Sequence, residues 1–436
     1  MANEKLATTI DHVVTFDQPI DHKDAAAEAA ARGQATSGYE ALTPWQTVKM
    51  FGRATLACFA AAFSAATDGY QIGLVSISTT FVAISSSNLC SMNASVIANK
   101  GFVQTFSTKL NAQGTLYLES RVLVGWSCTQ SIGQIIGMTS LPFLSSRYGR
   151  KVAMFTYWLI LAISVAVESV ARRWEVWLVA KLLAGIGVGC LQSTLPTYIA
   201  EVAPVRIRGG LLMCYSFWWT VGSFFSYIAL QTMAKQKPYH WLEPIYTQWA
   251  QIGIMLAIYL VLPESPAWCV DVNKIDRAKN ELRKLNGKVP GYDVDHQVEL
   301  LLLAVEHERT VAAEQRREHW TAIFRGTDGM RTLISLWTNM SQQFIGLTLF
   351  GTFGAYFFQQ AGLTDPFKIK CITSSLNIAT VLVIVLVADR LGRRWIACAG
   401  TTMCWAACVC IGILGVAKQI RATDYLFVFF ACCWSM

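Results

Sequence analysis

Long apolar runs separated by short polar joints recur along the chain from about residue 54 onward. A run of about 20 residues, at roughly 1.5 Å of rise per residue, crosses a hydrocarbon layer about 30 Å thick as a helix. The pattern predicts spans near 54–76, 122–143, 151–172, 174–198, 209–233, 241–262, 332–358, 369–388 and 395–416, with a tenth starting near 424. Ahead of them lies a polar stretch with an Ala-rich run from Ala25 to Ala31, which reads as a tail. After the sixth span, charges such as Arg277, Lys279, Glu281, Arg283 and Lys284 alternate with Leu282, Leu285, Val298, Leu301 and Val305 at helical spacing. That periodicity predicts short amphipathic helices. The expected organisation is a tail over 1–52, a six-helix bundle over 53–262, a linker over 263–331 and an incomplete second bundle over 332–436.

Composition decides what surrounds these helices. The chain is 53% hydrophobic and 15% charged, against roughly 25% charged in an average soluble domain. A soluble fold of this size would lack polar surface, so the apolar excess belongs against lipid, and the fold class is an all-α membrane protein. The net charge of +8 raises nucleic acid as a partner, but its placement argues against one. Arg147, Arg150 and Lys151, then Arg206 and Arg208, then Arg390, Arg393 and Arg394 fall in short joints between spans. This is the positive-inside distribution, and it puts the tail and the linker in the cytoplasm. Thirteen cysteines are scattered without CxxC spacing and read as packing residues rather than metal ligands or a disulfide framework. No phosphate loop, metal cluster or nucleophile beside a base is present in the sequence, so neither a cofactor nor an enzyme is expected. Asn93-Ala94-Ser95 is an acceptor sequon on the outer side.

Two joints match each other. Ser146-Arg147-Tyr148-Gly149-Arg150-Lys151 lies between spans two and three, and Asp389-Arg390-Leu391-Gly392-Arg393-Arg394 between spans eight and nine. In each, the glycine allows a tight reversal and the arginines suit carboxylates and helix C-termini on the cytoplasmic rim. Two copies at equivalent places mark two related halves, joined by a cytoplasmic latch. Glu201, beside Arg206 and Arg208, is expected to belong to that latch.

From about residue 50 onward the chain resembles the sugar porter branch of the major facilitator superfamily, most of all fungal sugar and α-glucoside-type transporters. Beyond the paired joints the resemblance rests on Leu195-Pro196-Thr197-Tyr198-Ile199-Ala200-Glu201-Val202-Ala203-Pro204 with Arg208-Gly209. It rests also on Pro263-Glu264-Ser265-Pro266-Ala267-Trp268, on Gln342-Gln343-Phe344-Ile345-Gly346, and on Tyr356-Phe357-Phe358. The resemblance implies twelve helices in two six-helix halves, a central site and alternating access. It also implies a sugar or polyol as substrate, a plasma-membrane location, and Gln342, Gln343 and Asn377 as ligands. An amide both donates and accepts, as a hydroxyl does; the alternative role for these amides is helix-to-helix contact.

Ionisable residues inside spans point to function. From the expected span ends, Asp68 stands roughly 21 Å above the cytoplasmic boundary and Lys181 roughly 10 Å below the outer one. In a core of about 30 Å these depths agree, so an Asp68–Lys181 pair is expected, either for proton coupling or as a structural ion pair. The resemblance implies the first role, with two departures: Gln71 stands where the family's aspartate follows Gly-Tyr, and Lys181 replaces an arginine. Glu168 is expected to pair at the rim with Arg172 and Arg173.

Four further departures stand out: Ser146 in place of an aspartate, Ser216 in place of a span-five glutamine, an insertion-like stretch over 77–92, and an end at Met436 within span ten. They leave three expectations open: a sugar or polyol carrier of proton-coupled origin, a carrier of a non-sugar metabolite, or a non-transporting sensor or inactive truncated fragment.

Overall fold

The computed structural model describes residues 42–75, 100–107, 109–110, 116–117, 120–236, 239–317, 324–344, 366–416, 426 and 429–434. Residues 1–41 of the expected tail over 1–52, the insertion-like stretch over 77–92, the sequon at Asn93 and the Tyr356 motif lie outside them.

The first helix, α1 (Pro44–Met50), starts where local chemistry dictates: Pro44 presets the backbone, and Thr43 and Gln46 form a capping box in which the Thr43 N–H donates to Gln46 Oε1 at 3.1 Å. It bends by 94° into the first span, formed by α2 (Gly52–Ala62) and α3 (Ser64–Val75). After α4 (Lys100–Phe106) and a two-residue antiparallel ladder, β1 (Lys109–Leu110) with β2 (Leu116–Tyr117), come the long helices. These are α5 (Ser120–Tyr148), α6 (Arg150–Val170), α7 (Trp174–Val202), α8 (Arg208–Gln236) and α9 (Glu243–Val261). The linker carries α10 (Pro266–Asp271), α11 (Ile275–Asn286) and α12 (Val294–Arg317), and the second half contributes α13 (Gly326–Phe344), α14 (Pro366–Leu391) and α15 (Arg393–Val416).

Glycines set how closely these helices approach. On α5, Gly133 and Gly137 lie against the backbone of Leu182 and Ile186; on α7, Gly185 and Gly189 lie against the carbonyls of Gln130 and Gln134. An added Cβ at any of the four would overlap a carbonyl oxygen of the facing helix. Two small-xxx-small pairs thus interlock, and backbones meet without intervening side chains. Gly69 of α3 and Gly222 of α8 repeat the arrangement against Trp219 and Ala66. Across the halves, α8 packs on α14.

Large apolar side chains such as Phe143, Val170, Leu260 and Val261 are exposed along the spans, which is the face a lipid-bathed bundle presents. Four helices pass on length and hydropathy alone as membrane-crossing, or five if the bent α1–α2 pair counts as one, among the described residues. The linker is different in kind. Trp268, Cys269, Val270 and Ala278 form a small core with Leu301, Leu302 and Val305, and exposed charges pair on its surface, as Lys279–Asp295 (2.5 Å) and Arg309–Asp271 (3.0 Å) do.

Candidate functional site

Two polar networks run through the first half, and both begin on α3. Asp68, buried to 2% exposure, accepts from Gln192 Nε2 of α7 at 2.9 Å and from the Tyr215 hydroxyl of α8 at 3.2 Å, both through Oδ2. Gln192 in turn accepts from Gln134 Nε2 of α5 at 2.6 Å. The Oδ1 oxygen of Asp68 has no partner among the described residues.

One turn further along α3, Gln71 Nε2 donates to Gln248 Oε1 of α9 at 2.7 Å. Gln248 approaches Glu168 of α6 at 3.5 Å, and Glu168 Oε1 accepts from Lys181 Nζ of α7 at 2.8 Å. All four are buried, and the lysine also lies 4.9 Å from the centroid of the Trp177 ring. The expected Asp68–Lys181 pair is therefore not formed. The two residues stand on different networks, because Lys181 turns back across the α6–α7 hairpin, where Glu168 is thirteen residues away in sequence. Nor does Glu168 join Arg172 and Arg173 at the rim; Arg172 instead lies over the Trp241 ring, 5.7 Å from its centroid.

The first of the two matching joints is the α5–α6 turn. Gly149 sits at φ 113°, and an added Cβ there would come 2.7 Å from Glu264 Oε2. Both backbone angle and space thus require glycine. Arg150 donates Nη2–H to Glu201 at 2.7 Å and Nη1–H to the Ser145 carbonyl at 2.9 Å, neutralising a carboxylate and satisfying a helix C-terminus together. Glu201 also accepts from Ser265 Oγ at 2.5 Å. The carboxylate is thus held by Arg150 of the first joint and by Ser265 of the linker. Arg208 keeps a buried Nε with no partner among the described residues, and Arg147 is exposed.

Glu264 joins this cluster, although spacing along the chain did not single it out. Its Oε1 accepts from the Lys151 and Ser265 backbone N–H groups at 3.0 and 3.1 Å. Trp268 Nε1–H donates to the Ser146 carbonyl at 2.8 Å and Tyr198 to the Pro263 carbonyl at 2.9 Å. These contacts fasten the linker under the first bundle.

In the second half the matching turn has Gly392 at φ 79° between α14 and α15. The same backbone device recurs at the second copy of the motif. The side chains of Asp389, Arg390 and Arg393, and those of Gln342 and Gln343 near the end of α13, lie outside the described residues. Asn377 is half-buried in the middle of α14.

Gln134, Gln192 and Tyr215 were also missed. The available signal was the amides themselves, since a glutamine inside a lipid-crossing run needs a partner. No group of three or more metal-ligating side chains converges among the described residues.

Residues 57–436 match the family described as sugar (and other) transporter. The low-affinity glucose transporter HXT1 of Saccharomyces cerevisiae is 28% identical over 327 residues, which is 73% of this chain and 56% of that protein. Hexose transporter 2 of Kluyveromyces lactis is 28% identical over 325 residues, with the same shares of 73% and 56%. The chain thus spans little more than half the length of these relatives. In fold it is similar to the xylose transporter XylE from E. coli in a partially occluded inward-open conformation, with a TM-score of 0.62, 19% identity, and coverage of 88% of this chain and 83% of that one.

Proposed function

Because the chain belongs to the sugar (and other) transporter family, an integral, multi-pass membrane class with the major facilitator fold, we propose that it moves a sugar or polyol across the plasma membrane by alternating access, with coupling to protons as its ancestral mode. The observation that carries this reading is the family match running unbroken from 57 to 436 through both halves. The relatives' names as glucose and hexose transporters support a sugar as the solute. Arginines in the joints and the Arg150–Glu201 pair support a cytoplasmic N-terminus and latch.

In this reading Gln342, Gln343 and Asn377 supply hydroxyl ligands from the second half. Asp68 is the proton site, being a buried carboxylate bonded only to neutral groups among the described residues. Lys181 serves Glu168 instead. A proton arriving at Asp68 would remove a charge that the span holds at a cost, and Gln192 and Tyr215 would sense the change directly.

The test is uptake of labelled hexoses, disaccharides and polyols by cells lacking their own carriers, with a full-length relative as the positive control. Saturable uptake of at least one solute is expected; none from the whole set sinks the reading. Gln342→Ala should raise KM about tenfold, and collapse of the proton gradient should abolish accumulation.

A further inference from the structure

We propose that Gln134, Gln192 and Tyr215, braced on Asp68, form a hydroxyl-binding subsite for the solute in the first half; this rests on the sugar or polyol reading and adds residues to it. Four different helices, α5, α7, α8 and α3, each supply one member. Amides in lipid-crossing helices are costly unless bonded or used. Here their bonding is directional. An ionised carboxylate only accepts, so Gln192 must turn its NH2 toward Asp68, and its own carbonyl oxygen must then accept from Gln134. The network has one sense, with every donor pointing toward Asp68.

That leaves capacity at its edge. Each amide that gives one N–H keeps a second, and Tyr215, having donated, keeps a lone pair. Asp68 keeps a buried Oδ1 with no partner among the described residues. While Asp68 is fully covered, Gln134, Gln192 and Tyr215 are half-buried, so the mixed donor and acceptor edge is the accessible one. A solute hydroxyl, donor and acceptor in one group, matches it. The neighbouring network differs in charge and exposure: Gln71, Gln248, Glu168 and Lys181 are all fully buried, its two charges neutralise each other, and the acceptor it leaves without a partner among the described residues, Gln71 Oε1, has no exposed neighbour in the network.

The scaffold holds the subsite rigidly. Gly189 abuts the backbone carbonyl of Gln134 itself, and Gly69, next to Asp68, abuts Trp219 of the helix that carries Tyr215. Ser223 Oγ donates to the Gly69 carbonyl at 3.0 Å. Glycine contacts thus set the register of both helix pairs that bring the four groups together, which is the preorganisation a binding site needs.

The experiment is equilibrium binding of labelled glucose and the monodeoxy glucoses to the purified full chain in detergent, compared with Gln192→Ala and Gln134→Ala. At least one monodeoxy sugar should bind the wild type about three- to tenfold more weakly than glucose, and that penalty should vanish in one of the variants, as a double-mutant cycle requires of a direct contact. Gln134→Ala, two bonds removed from Asp68, carries the test if Gln192→Ala does not fold. A variant that weakens every sugar alike and keeps the deoxy penalty overturns the subsite and leaves the sugar reading standing. A wild type that binds none of the panel overturns both.

Discussion

The two networks that leave α3 one turn apart solve the same problem differently. In one, Glu168 and Lys181 meet at 2.8 Å, out of contact with solvent, and Gln71 and Gln248 tie the pair to two more helices. In the other, Asp68 has hydroxyl and amide partners but no cation among the described residues, and its partners stand partly exposed. A closed pair holds helices in place; an open one can exchange a proton or a ligand. The contrast teaches that a buried charge in this chain is not by itself a sign of function. What surrounds it decides.

The comparison breaks most visibly at the closed pair. Glu168→Ala or Lys181→Ala leaves an unpaired buried charge and is expected to destabilise the bundle by about 3–5 kcal/mol, whereas Glu168→Leu with Lys181→Met should recover most of that. Thermal unfolding in micelles measures both, and singles no worse than the double would remove the closed-pair assignment. Gly189→Val comes next: its side chain has no room against the Gln134 carbonyl, and overpacking of this kind costs about 1–3 kcal/mol. Sugar affinity should fall with it, because the same contact positions Gln134 for Gln192.

A smaller effect on folding is expected at Asp68. Asp68→Asn retains an oxygen for Gln192 and should stay within about 1 kcal/mol of the wild type, while uptake loses its dependence on the proton gradient. A melting loss as large as that of Glu168→Ala would mean that the open network is structural too. The smallest effect belongs to Lys279–Asp295, the same chemistry in solvent. The lysine, through its hydrogen bond and charge contact with Asp295, holds that carboxyl below the usual value of 3.8, and Asp295 raises Lys279 above 10.5. The carboxylate's share is present above its unfolded value and is lost as pH falls through the lowered one. The lysine's share is present below its unfolded value and is lost as pH rises through the raised one. Between about pH 5 and 9 the pair should be constant, and Asp295→Asn should leave the melting temperature unchanged within error. A clear drop would show that the linker depends on it.

The helices were legible because apolar run length translates directly into membrane thickness. The paired joints were legible because a reversal between long helices needs a residue that tolerates positive φ, and Gly149 and Gly392 both adopt it. Residues near in sequence proved a poor guide to partners. Glu201 lies closest along the chain to Arg206 and Arg208 yet bonds Arg150, 51 residues away, across the α5–α6 turn. Equal expected depths pointed Lys181 to Asp68, yet it turns to Glu168.

What the sequence determined by itself is the membrane class, the long helices and the matching glycine joints, all of which follow from one-dimensional quantities: run length and spacing. Only the tertiary structure decided which charges meet. Partner choice depends on the rotation of each helix about its axis and on how closely two axes approach. Here interlocked glycines on α5, α7, α3 and α8 set both, bringing Gln134, Gln192 and Tyr215 to Asp68 and leaving Lys181 to Glu168.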